Sequence, residues 1–130
     1  MKANKTIRVL GLRDNKISDA GMLPLCDALK ENRTITEVDL TDNWNIEYIY
    51  GVTFPNAAEA VLRRNRGIQA AKDIRECKEA QLDLSNRGLG DEGAKELAEE
   101  LKANKTLLRI DVRGNSAITI EGAELLTRAV

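Results

Sequence analysis

The stretch of this sequence most like a cofactor site is "GLGDEG", Gly88 to Gly93, which fits G-x-G-x-x-G between a predicted strand and a predicted helix. That arrangement lets backbone approach a pyrophosphate at a helix N-terminus. Two features oppose a nucleotide here. The corresponding stretch near the N-terminus is "KISDAG", in which only Gly21 persists, so Gly93 belongs to a repeat and Gly88 and Gly90 read as incidental. Asp91 and Glu92 would set two negative charges beside the phosphates, whereas at a helix start they complement the macrodipole.

The remaining inventory is poor in catalytic groups. There is no histidine, which removes the usual general base and the commonest metal ligand together. Cys26 and Cys77 stand far apart in the chain and form no zinc pattern. No catalytic residue, metal or cofactor is expected, and the protein reads as something other than an enzyme. With 20 basic and 21 acidic residues the net charge is -1, which argues against nucleic acid or an anionic membrane as partner. The composition is that of a soluble, ordered chain, with no apolar run long enough to span a membrane. Sparse cysteine use and an opening "MKANKT" without an apolar stretch favour the cytoplasm, then the nucleus, over secretion.

Binding is better represented. Asp39, Asp83 and Asp111 each stand between two apolar residues of a short β-type run. On adjacent strands, about 4.8 Å apart, they would form an acidic ladder. Arg13 and Arg113 fall two places further along their runs and would flank it. Such a row calls for a basic partner group, a cation, or neutralisation by the arginines. A second feature is the window "NWNIEYIYGVTF", residues 43 to 54, which holds all four aromatic residues of the chain, Trp44, Tyr48, Tyr50 and Phe54. Tryptophan and tyrosine concentrate at protein-binding hot spots, so Trp44, Tyr48 and Tyr50 read either as a docking loop or as rings filling space beside an insertion. Phe54, next to Pro55 at a plausible helix start, reads as buried.

The elements that must position these residues repeat. Leu10 and Leu12 precede Val38 and Leu40 by 28 residues, and Leu82 precedes Ile110 by the same 28. Each unit is a β-type run such as "LLRIDV", a polar turn, and an apolar stripe at helical spacing such as Ala94, Leu97, Ala98 and Leu101. Neither element buries its apolar face alone. Stacking puts the strands in a parallel sheet and the helices in an outer layer. The expectation is an α/β solenoid of about four parallel strands in one domain, residues 1–130, with coils near 4–31, 32–64, 81–103 and 104–130.

Ile7, Leu10, Leu12, Asn15 and Ile17 fit L-x-x-L-x-L-x-x-N-x-L, and on these residues the chain resembles the leucine-rich repeat family, with a period and full helix like the ribonuclease-inhibitor subtype. The resemblance implies a right-handed βα superhelix in which Asn15, Asn43 and Asn115 turn inward to bond adjacent coils. It also makes aspartate between the leucines ordinary. Repeats of this kind resemble those of ribonuclease inhibitor, NOD-like receptors and tropomodulins. They imply a non-catalytic protein-interaction module, a scaffold or assembly subunit. The alternative is a GTPase regulator of the Ran GTPase-activating type, on fold analogy alone.

Departures from the pattern are specific. Glu79 stands at the first leucine position of the third unit and Arg87 at its asparagine position. The interval from Val38 to Leu82 is 44 residues, and aligning Leu29 with Leu62 places part of the surplus in the aromatic window and the rest at 65–80. There Ile68, Ala71, Ile74 and Cys77 predict an inserted amphipathic helix. Neither end of the array carries an obvious capping unit. Ile7, Leu10, Leu125 and Leu126 would face neighbours, so the chain reads as a fragment or as a subunit whose open ends dock on other chains.

Overall fold

The computed structural model describes residues 4–43 and 53–130. In chain order the elements are β1 (Val9–Gly11), α1 (Asp19–Glu31), β2 (Glu37–Asp39), α2 (Thr53–Glu76), β3 (Gln81–Asp83), α3 (Gly90–Ala103), β4 (Arg109–Asp111) and α4 (Ile120–Ala129). The chain forms two compact units, Met1–Leu62 and Arg63–Val130.

In each unit two strands pair in parallel, giving two separate two-stranded sheets, β1–β2 and β3–β4, where a single row of four was expected. Leu10 faces Val38 and Leu82 faces Ile110, so the 28-residue spacing of the sequence is the register of the sheets. Pairing extends past the strands: Leu12 N donates to Asp39 O at 2.8 Å and Asp14 N to Thr41 O at 3.0 Å, while Leu84 N donates to Asp111 O at 2.7 Å and Asn86 N to Arg113 O at 2.9 Å.

The core follows the stripes. In the first unit Leu29, Ile35 and Leu62 are buried, with Leu10, Leu25, Val38 and Val61 packed against them. In the second, Ala70, Ile74, Leu84, Leu89, Leu97 and Leu101 form the centre, joined by Leu82, Ile110 and Ile118. All four residues of the α3 stripe are buried. The segment expected as a separate inserted helix is instead the second half of α2, which runs unbroken to Glu76. Residues 53–76 are rich in alanine and arginine, with proline only in the first turn, so the helix propagates through its one glycine, Gly67, which packs closely on Gly93.

The turns after the strands have one conformation throughout. Asp14, Asp42, Asn86 and Gly114 stand at equivalent positions with φ of 57°, 58°, 56° and 75°. Only glycine, and at modest cost asparagine and aspartate, enters this left-handed region readily. The next residue is the repeat asparagine, except after Asn86, where Arg87 takes its place. Asn43 Nδ2 donates to Leu12 O at 2.8 Å and to Leu40 O at 2.9 Å, and its Oδ1 accepts from Ile17 N at 3.1 Å. Asn115 does the same in the second unit, reaching Leu84 O at 3.0 Å and accepting from Arg87 N at 2.9 Å and Leu89 N at 3.3 Å. Asn15 departs from the expectation: it is exposed and donates only within its own coil, to Leu12 O and Arg13 O.

A second set of asparagines precedes the strands β1, β2 and β4. Asn4, Asn32 and Asn104 each accept, through Oδ1, the N–H groups two and three residues on. In the third coil Cys77 takes that place after α2, its N–H bonding Ile74 O at 3.3 Å. Leu82 follows Ile74 by one residue fewer than Ile110 follows Leu101. Glu79, at the leucine position of this coil, is exposed.

Candidate functional site

Strand alternation decides which side chains are available. Leu82 and Ile110 turn to the core, so Gln81, Asp83, Arg109 and Asp111 share the opposite face of the β3–β4 pair. A shallow depression of about 310 Å³ is lined there by Gln81, Leu82, Asp83, Arg109 and Asp111.

Asp83 and Asp111 are direct cross-strand partners, so part of the expected ladder exists. The third expected member, Asp39, belongs to the first unit, where it stands opposite Gly11 in the β1–β2 pair.

Each carboxylate is turned back on its own turn. Asp39 Oδ1 accepts from Thr41 N at 3.0 Å and from the Thr41 hydroxyl. Asp83 Oδ1 accepts from Ser85 N at 2.8 Å and Ser85 Oγ at 2.5 Å. Asp111 Oδ1 accepts from Arg113 N at 3.0 Å, and the Arg113 guanidinium grips both oxygens, Nε to Oδ1 at 3.0 Å and Nη2 to Oδ2 at 2.7 Å. Hydrogen bonds to the charged form favour it. The Thr41 hydroxyl and N–H hold Asp39 below the ordinary carboxylate range, and Ser85 does the same for Asp83. Arg113 takes Asp111 down to about 2.

Arg113 therefore neutralises Asp111, while the Arg13 guanidinium lies near enough to Asp39 to favour its charged form but makes its hydrogen bond to another carboxylate. Arg13 Nε meets Asp42 Oδ2 at 3.1 Å. Trp44, Tyr48 and Tyr50 lie outside the described residues, and so does the side chain of Phe54. Gln81 and Arg109 were missed by the sequence reading. The signal was present, since each stands two residues before an aspartate and so shares its face.

The glycine motif has a structural explanation, and two of its members are not incidental. Gly88 and Gly90 hold φ of 64° and 62°. A β-carbon at Gly90 would also lie 2.5 Å from Arg63 Cδ, and one at Gly93 would lie 2.9 Å from Arg63 O. Asp91 does more than complement its own helix. Its Oδ1 accepts from Thr119 N at 2.7 Å and Gly122 N at 3.1 Å, and its Oδ2 from the Thr119 hydroxyl, so a residue of α3 caps α4. These bonds, led by the hydroxyl, lower the Asp91 pKa.

Strand, left-handed turn, inward asparagine and helix thus recur in both units. A family model described as Leucine Rich repeat matches residues 3–26, 31–48, 81–98 and 103–126, more than half of the chain. The chain belongs to the leucine-rich repeat family. Repeats of this family generally mediate protein–protein interaction. The chain is also similar to ribosome-binding factor A of Oenococcus oeni, at 29% identity over 73 residues, covering 56% of this chain and 60% of that protein. It thus spans about 60% of the length of that curated relative, a likeness that assigns no second family. Among the described residues no helix is long and apolar enough to cross a membrane, and no group of three or more cysteines, aspartates or glutamates gathers in a metal-holding arrangement.

Proposed function

We propose that this leucine-rich repeat chain is a non-catalytic scaffold or assembly module that binds a protein partner through its strand faces. The observation that carries this reading is the mixed-charge face of β3–β4, where Asp83 and Asp111 stand beside the exposed Arg109 and Arg113. Carboxylates kept ionised next to guanidinium groups suit a polar, charge-patterned protein surface, giving specificity and register rather than chemistry. Arg13 and Asp39 are the corresponding residues of the first unit, and Trp44, Tyr48 and Tyr50 are the aromatic anchors we assign to the same partner.

A full helix in each repeat and the 28-residue register support the ribonuclease-inhibitor subtype and solenoid stacking. A reducing intracellular location suits the free Cys26 and Cys77. No arrangement among the described residues favours GTPase activation. The likeness to a ribosome-binding factor does not lead us to propose RNA contact, since a net charge of -1 lacks the basic footprint that RNA binding requires.

The test is affinity purification with the wild-type chain beside an Asp83→Lys, Arg109→Glu variant of unchanged circular dichroism. A defined protein retained by the wild type and lost by the variant supports the assignment. Equal retention by both would move the site off this face, and acceleration of GTP hydrolysis by any small GTPase in a broad panel would overturn the non-catalytic reading.

A further inference from the structure

On the exposed face of the β3–β4 pair, the polar groups that the fold leaves without partners have a pattern. Asp111 is fully engaged by its own turn, since the Arg113 N–H and guanidinium occupy both of its oxygens. Asp83 uses only Oδ1, which accepts from Ser85 N and Ser85 Oγ. Its Oδ2 accepts no hydrogen bond and enters no ion pair among the described residues. Arg109 lies near enough to Asp111 to favour the charged carboxylate, yet its guanidinium donates no hydrogen bond among the described residues, and neither does the side-chain amide of Gln81. One carboxylate oxygen, one guanidinium and one amide are therefore available on a single face.

Their placement separates the two signs of charge. Gln81 stands opposite Arg109, and Asp83 opposite Asp111. Arg109 and Asp83 are thus diagonal neighbours across the pair, a relation that spans about 7–8 Å. At one end of the diagonal the fork of N–H groups on Arg109 matches a carboxylate, with the Gln81 amide as a further donor beside it. At the other end Asp83, kept ionised by Ser85, accepts from a cation. The shallow depression of about 310 Å³ lies among these residues, with Leu82 in its lining. In an extended chain, side chains two residues apart point the same way and stand about 6.5–7 Å from each other, which matches the diagonal.

We propose that this face, on the reading of β3–β4 as the partner-binding surface, takes an extended segment of the partner protein that carries an acidic and a basic side chain two residues apart. Arg109 and Gln81 hold the acidic side chain, and Asp83 holds the basic one. Arg113 takes Asp111 out of the competition, so the face reads one charge of each sign instead of a run of bases. Selection comes from repulsion as well as attraction. A wholly acidic segment would set a carboxylate against Asp83, and a wholly basic one would set a cation against Arg109.

NMR titration of the isotope-labelled full chain with synthetic peptides tests this. The probes are Ser-Thr-Glu-Thr-Arg-Thr-Ser and two like-charged versions, with glutamate or with arginine at both charged positions. Amide shifts at Gln81, Asp83, Arg109 and Asp111 should show the mixed peptide binding at least about threefold more tightly than either like-charged one, the scale of exposed ion pairs. The difference should vanish at about 1 M salt. Arg109→Glu should move the preference to the arginine peptide, and Asp83→Lys should move it to the glutamate peptide. If circular dichroism shows that Asp83→Lys, which loses the Ser85 bonds, fails to fold, Arg109→Glu carries the test alone. A wild type that binds none of the three peptides, or all three equally, overturns the proposal, and so does an unchanged preference in Arg109→Glu. Such a failure leaves the partner-binding reading intact where affinity purification still yields a protein lost by the Asp83→Lys, Arg109→Glu variant, whereas equal retention there removes both.

Discussion

Gly67 of α2 and Gly93 of α3 meet backbone to backbone: a β-carbon on Gly67 would lie 2.4 Å from Gly93 Cα and 2.5 Å from Gly93 O. No flexible side chain can yield there. In an open helix Gly→Ala gains up to about 1 kcal/mol of propensity, but here the methyl must push two helices of one core apart. Overpacking of this kind costs about 1–3 kcal/mol beyond any such gain. Gly67→Ala should therefore lower the urea midpoint with an unchanged slope, and a raised midpoint would show that the helices do not pass this closely.

Asn115 and Asn15 are one residue type at one repeat position with opposite surroundings. Asn115 is buried and bonds two coils, whereas Asn15 is exposed and bonds its own. Removing the Asn115 amide leaves buried carbonyl and N–H groups unsatisfied, so Asn115→Ala should cost about 2–4 kcal/mol. Asn15→Ala should cost less than about 0.5 kcal/mol. Chemical denaturation of both variants measures the contrast. Equal costs would mean that the coil-to-coil bonds contribute nothing.

How much of this was legible beforehand depends on what each residue needed from outside its own repeat. The period, the pairing of Leu82 with Ile110 and the Ala94, Leu97, Ala98 and Leu101 stripe follow from local alternation and helical spacing, and they stand in the structure. Asp83 and Asp111 became neighbours because an unbroken period carries one strand onto the next. Asp39 pairs with Gly11 by the same period in the first unit. The role of Asp91 was hidden, since its partners Thr119 and Gly122 lie on the following repeat. Gly67 gave no signal at all, because only packing distinguishes a helix contact from a weak position in a helix.

The acid limb of stability should carry the mark of these turns. Asp111 is held at about 2 by the Arg113 guanidinium and N–H, below the ordinary value near 3.9. A carboxyl lowered in the folded state contributes stability that is fully present above its unfolded value and is lost as pH falls through the folded one. For Asp111 that window runs from about pH 4 down to about 2. Asp39, Asp83 and Asp91 are shifted in the same direction. Carboxyl-carbon NMR titration should place Asp111 lowest, and Arg113→Ala should return it towards the ordinary range. An unmoved titration in the variant would remove Arg113 as the cause.

The left-handed turn position predicts a pattern that side-chain contacts alone would not. Asn86 holds φ of 56°, and Gly114 follows at 75° one repeat later. Asn86→Gly removes a side chain but relieves the backbone, so it should change stability by no more than about 0.5 kcal/mol. Asn86→Val keeps a compact side chain yet forces a β-branched residue into a region that costs it about 1–2 kcal/mol. Thermal or urea unfolding of the pair separates the two causes. A valine variant as stable as the glycine variant would mean that the turn is not held in the left-handed region, while a large valine penalty with a near-neutral glycine identifies backbone conformation as what the chain selects at residues 14, 42, 86 and 114.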